Sequence, residues 1–433
     1  MSRASRPASL ITPAASSTSS AQRATPADGS TSAADRTMPD NAPHPAGGSV
    51  ITLLVTTALF VLTQLYLAIP LLPHVAKSFG SAPATTTLAL ASAFSLAYAA
   101  GFLLWGPVSD QYGRRPVMLT GLAALAIATL ACAFVPSLPW LGGLRVTQGL
   151  AAASFAPVAL AYLIEATPPR LRATAIGAMS TAFLVAGIFG QVLAGWIALH
   201  GRWSWVFLVT GGALAIMTPL IALFAREPGR AALHGHLGHR FAAMARLLAR
   251  PAILLLSCAH ITLLLSFVAM YTALGPHLQT LGLDGGRVLL LRLAGLPLMF
   301  VALLAGPLAA RIRMSGVACT GFMLAATGVA LEAALSQHLP GIVAGSLIFV
   351  TGVALAIPAM IVLYGTLATP DRAAGMALNG FVLFIGASIG PVLAGRVADF
   401  RLLLMGLAVV LLGAAGCVVG SGRLTGKQQK AHA

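Results

Sequence analysis

Charged residues, and acidic ones above all, are scarce in this sequence. Only 8% of its 433 residues are charged, with 10 Asp and Glu against 26 Lys and Arg. Soluble globular domains contain roughly 25% charged residues, so this composition, 58% hydrophobic, excludes one or two ordinary water-soluble domains. The net charge of +16 does not indicate a nucleic-acid-binding protein, because no charge-rich segment is large enough to form a basic face. The composition indicates a membrane protein.

Paired cysteines and clusters of metal ligands are also missing. Cys132, Cys258, Cys319 and Cys417 all fall inside apolar runs, with no paired spacing and no flanking histidines. We interpret them as small apolar residues and not as disulfide partners or zinc ligands. The sequence predicts no metal site and no cofactor.

The first 47 residues contain no apolar periodicity and are rich in Ser, Thr, Ala, Pro and Gly. Such a segment cannot bury enough surface to offset the entropy of ordering, so we expect a disordered cytoplasmic tail over 1–47. No secretory signal is predicted, because the first apolar run begins only at about Val50. Either Met1 or Met38 could be the start, and N-terminal sequencing of the native protein would distinguish them.

Apolar runs long enough to cross a bilayer, about 20 residues each, occur twelve times. They cover residues 50–70, 85–106, 117–135, 140–164, 174–199, 204–225, 252–274, 287–309, 315–335, 342–367, 374–398 and 402–421. If the N-terminus is cytoplasmic, twelve arginines lie in inner loops and four basic residues in outer loops. The positive-inside rule then places both termini in the cytoplasm. The predicted fold class is an all-α membrane protein with twelve transmembrane helices.

The longest connection between spans divides them six and six. The predicted segments after the tail are an N-terminal six-helix bundle over 48–225, a cytoplasmic linker over 226–251, a C-terminal six-helix bundle over 252–421 and a cytoplasmic tail over 422–433. In the linker, Phe241, Met244 and Leu248 share one helical face with arginines beside it. This favours a helix lying on the anionic inner leaflet over a solvated linker.

A short repeat supports the two halves. Gly190–Gly195 in span 5 and Gly390–Gly395 in span 11 both read Gly-x-Val-Leu-Ala-Gly, with Gln191 and Pro391 at the differing position. The two segments are 200 residues apart and each follows an inner loop. Parallel six-span repeats are a known transporter architecture.

The turn between spans 2 and 3 combines glycines with charge. It contains Gly106, Asp110, Gly113, Arg114 and Arg115, so that a lone acid lies beside two arginines at a helix end. The acid either balances charge locally or forms a latch that breaks in another conformation. The segment resembles the loop signature of the major facilitator superfamily, G-x-x-x-D-x-x-G-R-R/K.

That resemblance covers residues 50–420 and implies two six-helix bundles that alternate access across the membrane. It also implies a network of the acid and the arginines on the inner side, which contacts spans 4 and 11 and stabilises the outward-facing state. By this resemblance Glu165, at the inner end of span 4, is the expected partner of the loop arginines. Asp110 is then expected to face the N-terminal end of span 11, whose helix dipole favours an anion.

Span 4 contains a second signature. Arg145, Gln148 and Gly149 match the family pattern R-x-x-Q-G, a buried arginine associated with proton coupling, and small neighbours allow close packing. The alternative is an arginine that extends to the outer surface.

Span 5 is similar to the antiporter signature G-x-x-G-P-x-x-G-G at Gly187, Gly190 and Gly195, where close glycines permit tight helix contacts. It departs from that signature at Gln191 and Ala194. The resemblance therefore favours the drug/proton antiporter branch without deciding the direction of transport.

Few residues could carry a proton. Span 1 resembles that of drug exporters, many of which place an acid near the position of Gln64, which cannot take up a proton. Glu332, which could pair with Arg292, and His260, with an ordinary pKa of about 6.5, are the candidates inside the spans, and Glu165 and Asp110 are the candidates at their ends. For His260 a simple hydrogen-bonding role is the alternative.

Polar and aromatic residues on spans 1, 4, 7 and 11, which line the cavity in this family, are the candidate substrate contacts: Gln64, Tyr66, Tyr162, Phe267, Tyr271 and Asn379. Simple packing is the alternative for each. A cavity with so few charges favours neutral, weakly basic or amphipathic solutes.

The sequence thus predicts a monomeric, multi-pass transporter of the bacterial inner membrane that couples protons to the efflux of small amphipathic molecules or drugs. An uptake symporter or uniporter for a metabolite is the alternative. A membrane enzyme or sensor is a remote one, because the sequence contains neither a catalytic cluster nor a soluble domain. Small molecules, protons and the lipid bilayer are the expected partners.

Overall fold

The computed structural model describes residues 48–227, 237–369 and 371–431, and all regular elements in these ranges are helical. The predicted tail over 1–47 and linker residues 228–236 lie outside them. In the N-terminal half the helices are α1 (Gly48–Tyr66), α2 (Ala68–Phe79), α3 (Pro83–Thr87), α4 (Ala93–Tyr112), α5 (Arg114–Cys132), α6 (Leu138–Ala152), α7 (Ala156–Ala166), α8 (Pro169–His200) and α9 (Trp205–Phe224). A π-helical turn, Leu88–Ser92, joins α3 to α4.

The rest of the chain is helical in the same way. Its helices are α10 (Leu237–Leu248), α11 (Pro251–Thr280), α12 (Gly285–Ala294), α13 (Ala305–Ala334), α14 (Leu339–Leu367), α15 (Arg372–Arg396) and α16 (Phe400–Ala431), with a 3-10 segment, Pro297–Leu304, between α12 and α13. We call α1–α9 the N-terminal half and α11–α16 the C-terminal half. The last helix continues past residue 421, so most of the tail predicted over 422–433 is helical.

Eleven helical segments of the described chain are long and apolar enough to cross a membrane. The sequence predicts twelve, and the difference lies in Gly285–Ala334, a single segment of 50 residues. This segment contains the predicted span 287–309 and all but the last residue of the predicted span 315–335. Inside it the helix is interrupted at Arg313, whose φ is 64° and ψ 160°.

Helix ends follow from local chemistry. Gly113, between α4 and α5, has φ 105°, a backbone conformation that residues with a Cβ rarely adopt. Proline lies in the first turn of α6, α11 and α14, where its missing N–H costs no helical hydrogen bond. The Asp284 carboxylate caps α12 by accepting the Arg287 N–H at 2.8 Å.

Helices α13 and α14 approach each other through glycines spaced seven residues apart: Gly321 and Gly328 face Gly345 and Gly352. A Cβ at Gly321 would lie 2.7 Å from the backbone nitrogen of Ala356. Side chains here would separate the two helices, so the glycines set the distance between them.

The contacts between the two halves include two helix pairs, α4 with α15 and α8 with α12. α4 packs against α15, where the Tyr98 and Phe384 ring centroids are 4.4 Å apart and Ser92 donates to the Ser388 carbonyl at 2.8 Å. α8 packs against α12, where Gly195 meets the Leu289 side chain. We call the end of the molecule that contains the α4–α5 turn the loop side, and the end where α8 finishes and α12 begins the far side.

The linker contains the helix α10, which packs against α15 and α4, while its place on the inner leaflet stays a prediction. Met244 is buried and Leu248 is 41% exposed. The side chain of Phe241 lies outside the described part. The apolar face of α10 therefore contacts the helices at least at Met244.

Candidate functional site

Two arginines occupy the first turn of α5, where the positive end of the helix dipole disfavours cations. An acid compensates for them. The Glu227 carboxylate accepts the backbone N–H of Arg114 through Oε1 and that of Arg115 through Oε2, both at 2.7 Å. Glu227 lies just beyond α9, so this carboxylate joins the end of α9 to the start of α5.

On the loop side, the Arg114 guanidinium contacts two acids. It forms an ion pair with Asp110, lies 3.0 Å from Glu165 Oε1, and donates to Ser109 Oγ at 2.6 Å. The structure thus brings together Asp110, Arg114 and Glu165 from α4, α5 and α7. We call these three, with Arg115 and Glu227, the loop-side network.

The prediction that Glu165 pairs with both loop arginines is wrong for Arg115. Its guanidinium donates to the carbonyl oxygens of Ala222 and Ala225, each at 2.7 Å. These carbonyls end α9, where a cation satisfies unpaired acceptors and the negative end of the dipole. Arg115 and Glu227 therefore make reciprocal contacts between α5 and the end of α9.

A Cβ at Gly106 would meet nothing within 4 Å, so no close contact requires that glycine.

Sequence reasoning missed Glu227. The pair of arginines at a helix N-terminus is the signal that could have indicated it. Two cations at the positive end of a helix dipole are unfavourable without an anion nearby. The candidate Tyr162 is also at this end, near Arg115 and Glu227.

Arg145 is completely buried, so the alternative in which it extends to the surface is wrong. Its guanidinium donates to the Leu90 carbonyl at 2.8 Å, the Gln64 carbonyl at 2.7 Å and Gln148 Oε1 at 2.9 Å. It also lies 4.3 Å from the centroid of the Phe94 ring. Leu90 belongs to the π-helical turn, whose altered hydrogen-bonding pattern makes a carbonyl available to a side chain.

Gln148 extends this buried network by donating to Thr129 Oγ1 at 2.7 Å. At Gly149 a Cβ would overlap the carbonyl oxygen of Phe94, so only glycine allows α6 to approach α4 this closely. Arg145 therefore joins α1, the π-helical turn and α6 through neutral acceptors.

His260 and Asn379, assigned to different roles by the sequence, lie side by side. His260 Nε2 and Asn379 Nδ2 are 3.0 Å apart, and both residues are buried. His260 Nδ1 has no hydrogen-bond partner. The Tyr364 ring lies against the imidazole, and its hydroxyl bonds to Ser257 Oγ at 2.7 Å. Sequence reasoning missed Tyr364 and Ser257, which carry no motif.

Three other candidate substrate contacts form an aromatic cluster across the two halves. Tyr66 of α1 meets Phe267 of α11 edge-on, with centroids 5.9 Å apart, and Phe267 lies 4.8 Å from Tyr271. A Cβ at Gly187 would lie 3.3 Å from Phe267, so this glycine of α8 makes room for the ring. Gln64, two residues before Tyr66 in α1, is buried, and its Oε1 has no partner.

The repeated glycines of α8 and α15 occupy corresponding places. A Cβ at Gly190 would lie 3.2 Å from the Thr63 carbonyl oxygen of α1, and one at Gly390 would lie 2.8 Å from the Leu265 carbonyl oxygen of α11. Each glycine thus allows the fifth predicted span of its half to approach the first.

The other residues of the repeat differ between the halves. The buried side chain of Gln191 donates from Nε2 to the Gly187 carbonyl at 2.7 Å. Pro391 has no side-chain donor and no backbone N–H, so it makes no such bond. Gly195 contacts Leu289, but a Cβ at Gly395 would meet nothing within 4 Å.

The expected pairing of Glu332 with Arg292 is not formed. Both side chains are buried, but neither carboxyl oxygen of Glu332 has a hydrogen-bond partner. Arg292 instead donates to the Tyr271 carbonyl at 3.3 Å.

Comparisons with known proteins agree on one family. Residues 54–391 match the Major Facilitator Superfamily. The chain is 32% identical over 150 residues to the "Multidrug export protein EmrB" of Escherichia coli (strain K12), covering 34% of this chain and 29% of that protein. It is 29% identical over 166 residues to the "Uncharacterized MFS-type transporter YybF" of Bacillus subtilis (strain 168), covering 38% and 41%. The matched regions span less than half of these relatives.

Two solved structures show a similar fold. The first is a bacterial homolog of the human lysosomal transporter Spinster in an inward-facing, unoccupied conformation, with a TM-score of 0.67, 18% identity, and coverage of 87% of this chain and 96% of that one. The second is the human organic anion transporter MFSD10 (TETRAN), with a TM-score of 0.63, 18% identity, and coverage of 85% and 98%.

Proposed function

The chain belongs to the Major Facilitator Superfamily, and we propose that it is a secondary transporter that couples protons to the efflux of small amphipathic molecules by alternating access. The observation that carries this proposal is the arrangement of contacts between the halves. On the far side α8 and α12 pack together, and Tyr66 meets Phe267. On the loop side, the ion pairs of Arg114 with Asp110 and Glu165 join α4, α5 and α7 of the N-terminal half.

The proposed topology has twelve spans with both termini in the cytoplasm. A straight helix of 50 residues would be about 75 Å long, whereas the hydrocarbon core is about 30 Å thick. Gly285–Ala334 therefore crosses twice in this proposal, turning at Arg313, which is exposed together with Arg311. Arginines at this turn agree with a cytoplasmic loop side.

In the proposed topology the far side is the external side, and the contact of α8 with α12 there supports a state closed to the outside. Movement of the two six-helix bundles about the substrate would separate α8 from α12 and close the loop side. We propose that Asp110, Arg114 and Glu165 stabilise one of these states by their ion pairs, and that Arg115 and Glu227 keep the end of α9 attached to α5.

The proposed substrate class follows from the centre of the molecule. Tyr66, Phe267 and Tyr271 offer aromatic surface, and the buried arginine Arg145 is already occupied by neutral acceptors. Such a site suits amphipathic solutes better than highly charged ones. The name of one relative, a multidrug export protein, supports the same class. His260, Asn379 and Glu332 are the proposed polar and proton-carrying groups.

Transport in inverted membrane vesicles tests the direction. With an acidified interior we expect a fluorescent amphipathic dye such as ethidium to accumulate in vesicles that contain the protein. Vesicles without the protein are the control. The buried neutral Gln64 favours uptake by symport or uniport as the second candidate. Accumulation driven only by the opposite gradient would contradict export and support that candidate.

A further inference from the structure

Four side chains from four helices meet in the C-terminal half. They are Tyr271 of α11, Arg292 of α12, Glu332 of α13 and Ser346 of α14, and Tyr271, Arg292 and Glu332 are at most 5% exposed. We call them the Glu332 cluster. The close packing of α13 on α14 fixes its position, because a Cβ at Gly345 would lie 2.7 Å from the Glu332 Cβ. Glu332 is thereby held beside Ser346, the next residue along α14.

Hydrogen bonding within the cluster is incomplete. Both carboxyl oxygens of Glu332, Arg292 Nε and Ser346 Oγ are buried without a hydrogen-bond partner of acceptable geometry. A cavity of about 10 Å³ adjoins the cluster and is lined by Tyr271, Gly295 and Ser346. This is about the room that one water molecule needs.

Few other charges face Glu332. Among the described side chains, the titratable or charged groups on the neighbouring helices are Cys258, His260, Tyr271 and His277 of α11, Arg287 and Arg292 of α12, Tyr364 of α14, and Arg401, Cys417 and Arg423 of α16. Arg287 is exposed, and His260 Nε2 lies 3.0 Å from Asn379 Nδ2. His277 Nε2 already lies 2.7 Å from the Ser336 carbonyl oxygen, and both α16 arginines are exposed. A buried carboxylate without a cation is strongly disfavoured, so the arrangement suits a protonated Glu332. If the proton leaves, Arg292 is the cation best placed to compensate.

Arg292 belongs to the helix that closes the far side. Along α12 and just beyond it, Leu289 touches Gly195 of α8, and a Cβ at Gly295 would lie 2.9 Å from Ile188 of α8 and 3.3 Å from the Tyr271 hydroxyl. Any movement of Arg292 towards Glu332 would therefore be transmitted to the contact between α12 and α8. The packed interface would respond as a unit, because such interfaces change between discrete arrangements.

We propose that the Glu332 cluster is a proton-binding site that controls the far-side contact. When Glu332 loses its proton, the carboxyl O–H bond breaks, the proton passes to water, and the electron pair stays on the carboxylate. Arg292 then leaves the Tyr271 carbonyl and pairs with the carboxylate, and α12 separates from α8. Protonation restores the closed contact. This inference rests on the proposed proton-coupled function and assigns its proton to a defined place.

The test measures the far-side distance and needs no substrate. In the full chain with its four cysteines replaced by alanine, Leu199→Cys and Leu290→Cys place spin labels on α8 and α12, at positions 46% and 66% exposed. Double electron–electron resonance then gives the distribution of distances between the two labels, measured from about pH 5 to about pH 9. This range is wide enough to ionise a carboxyl group in water or inside a protein. We expect a longer-distance population to grow as the pH rises.

In Glu332→Gln the side chain cannot lose a proton, and we expect the longer-distance population at high pH to fall about tenfold. Glu332→Asp should retain the pH response. Asp284→Asn is the matched control, because it removes an exposed carboxylate next to α12 and should respond like the parent. A response in Glu332→Gln equal to that of the parent would overturn the inference.

Arg292→Gln provides a second variant for the case in which Glu332→Gln does not fold. Without the guanidinium the carboxylate has no partner, so the far side should stay closed over the same pH range. An unchanged opening in Arg292→Gln overturns the switch. The two experiments can also disagree. If the distance change depends on Glu332 but the vesicles show no dye efflux, only the proposed substrate and direction are rejected. Proton-driven efflux with no such distance change would reject only the Glu332 cluster.

Discussion

At the scale of single residues, two of the acids accept backbone N–H groups at helix N-termini. Glu227 accepts two backbone N–H groups at the start of α5, a position that also contains two arginines. Asp284 accepts one N–H at the start of α12. Both acids thereby satisfy N–H groups that have no partner inside the helix.

We expect Glu227→Ala to destabilise the protein more than Asp284→Ala. The first substitution leaves two N–H groups of α5 and the arginines beside them without their carboxylate, whereas the second removes one accepted N–H. Loss of a helix cap costs about 1 kcal/mol. Thermal unfolding of the purified protein in detergent measures the difference. An unfolding temperature for Glu227→Ala equal to that of Asp284→Ala would show that the second hydrogen bond contributes nothing.

At the scale of helices, glycines determine which pairs approach closely. Gly328 and Gly345 allow α13 and α14 to pack with their backbones nearly in contact, and this packing positions Glu332. Gly190 and Gly390 do the same for α8 on α1 and α15 on α11. By contrast, a Cβ at Gly413 of α16 would meet nothing within 4 Å. Glycine content alone therefore does not reveal which glycines matter.

Gly328→Ala should destabilise the protein by about 1–3 kcal/mol, the usual cost of overpacking a tight contact. The added methyl group would overlap the backbone of Phe349, which cannot rotate away as a side chain can. Gly413→Ala is the matched control and should unfold at or slightly above the parent temperature, because alanine favours the helix over glycine and the methyl group has room. Thermal unfolding of the two variants checks the prediction, and equal temperatures would refute it.

At the scale of the whole molecule, the contacts between the two halves include α4 on α15, α8 on α12, and Tyr66 of α1 on Phe267 of α11. The ion pairs of Arg114 on the loop side join helices of the N-terminal half. Interconversion between states requires one set of contacts between the halves to break and another to form. Asp110 pairs with Arg114, which also holds Glu165. A change of charge at Asp110 should therefore alter the balance between states more than the fold.

We expect Asp110→Asn to slow transport about tenfold, equivalent to about 1.4 kcal/mol, while the protein is still produced and inserted. Vesicle transport, normalised to the amount of protein, measures the effect. Asp399→Asn is the control, since Asp399 accepts the Leu402 N–H at the start of α16 and lies outside the loop-side network. Transport at the parent rate in Asp110→Asn would exclude the latch.

Much of the architecture could be predicted because it depends on local properties. Apolar run length indicated the spans, and the signature at Asp110 and Arg114 indicated the family that residues 54–391 match. The segment around Arg313 differs from the expected count, because the helical segment continues across Arg311 and Arg313, where the apolar run is interrupted.

The sequence by itself determined the membrane character, the helical class and the positions of the signatures, because composition and periodicity act within about 20 residues. Only the tertiary structure decided the partners of the buried polar groups. His260 meets Asn379 across 119 positions, Arg145 meets Gln64 across 81, and Glu332 does not pair with Arg292. These partners depend on the rotation and depth of each helix against its neighbours, which long-range packing sets and no local pattern encodes.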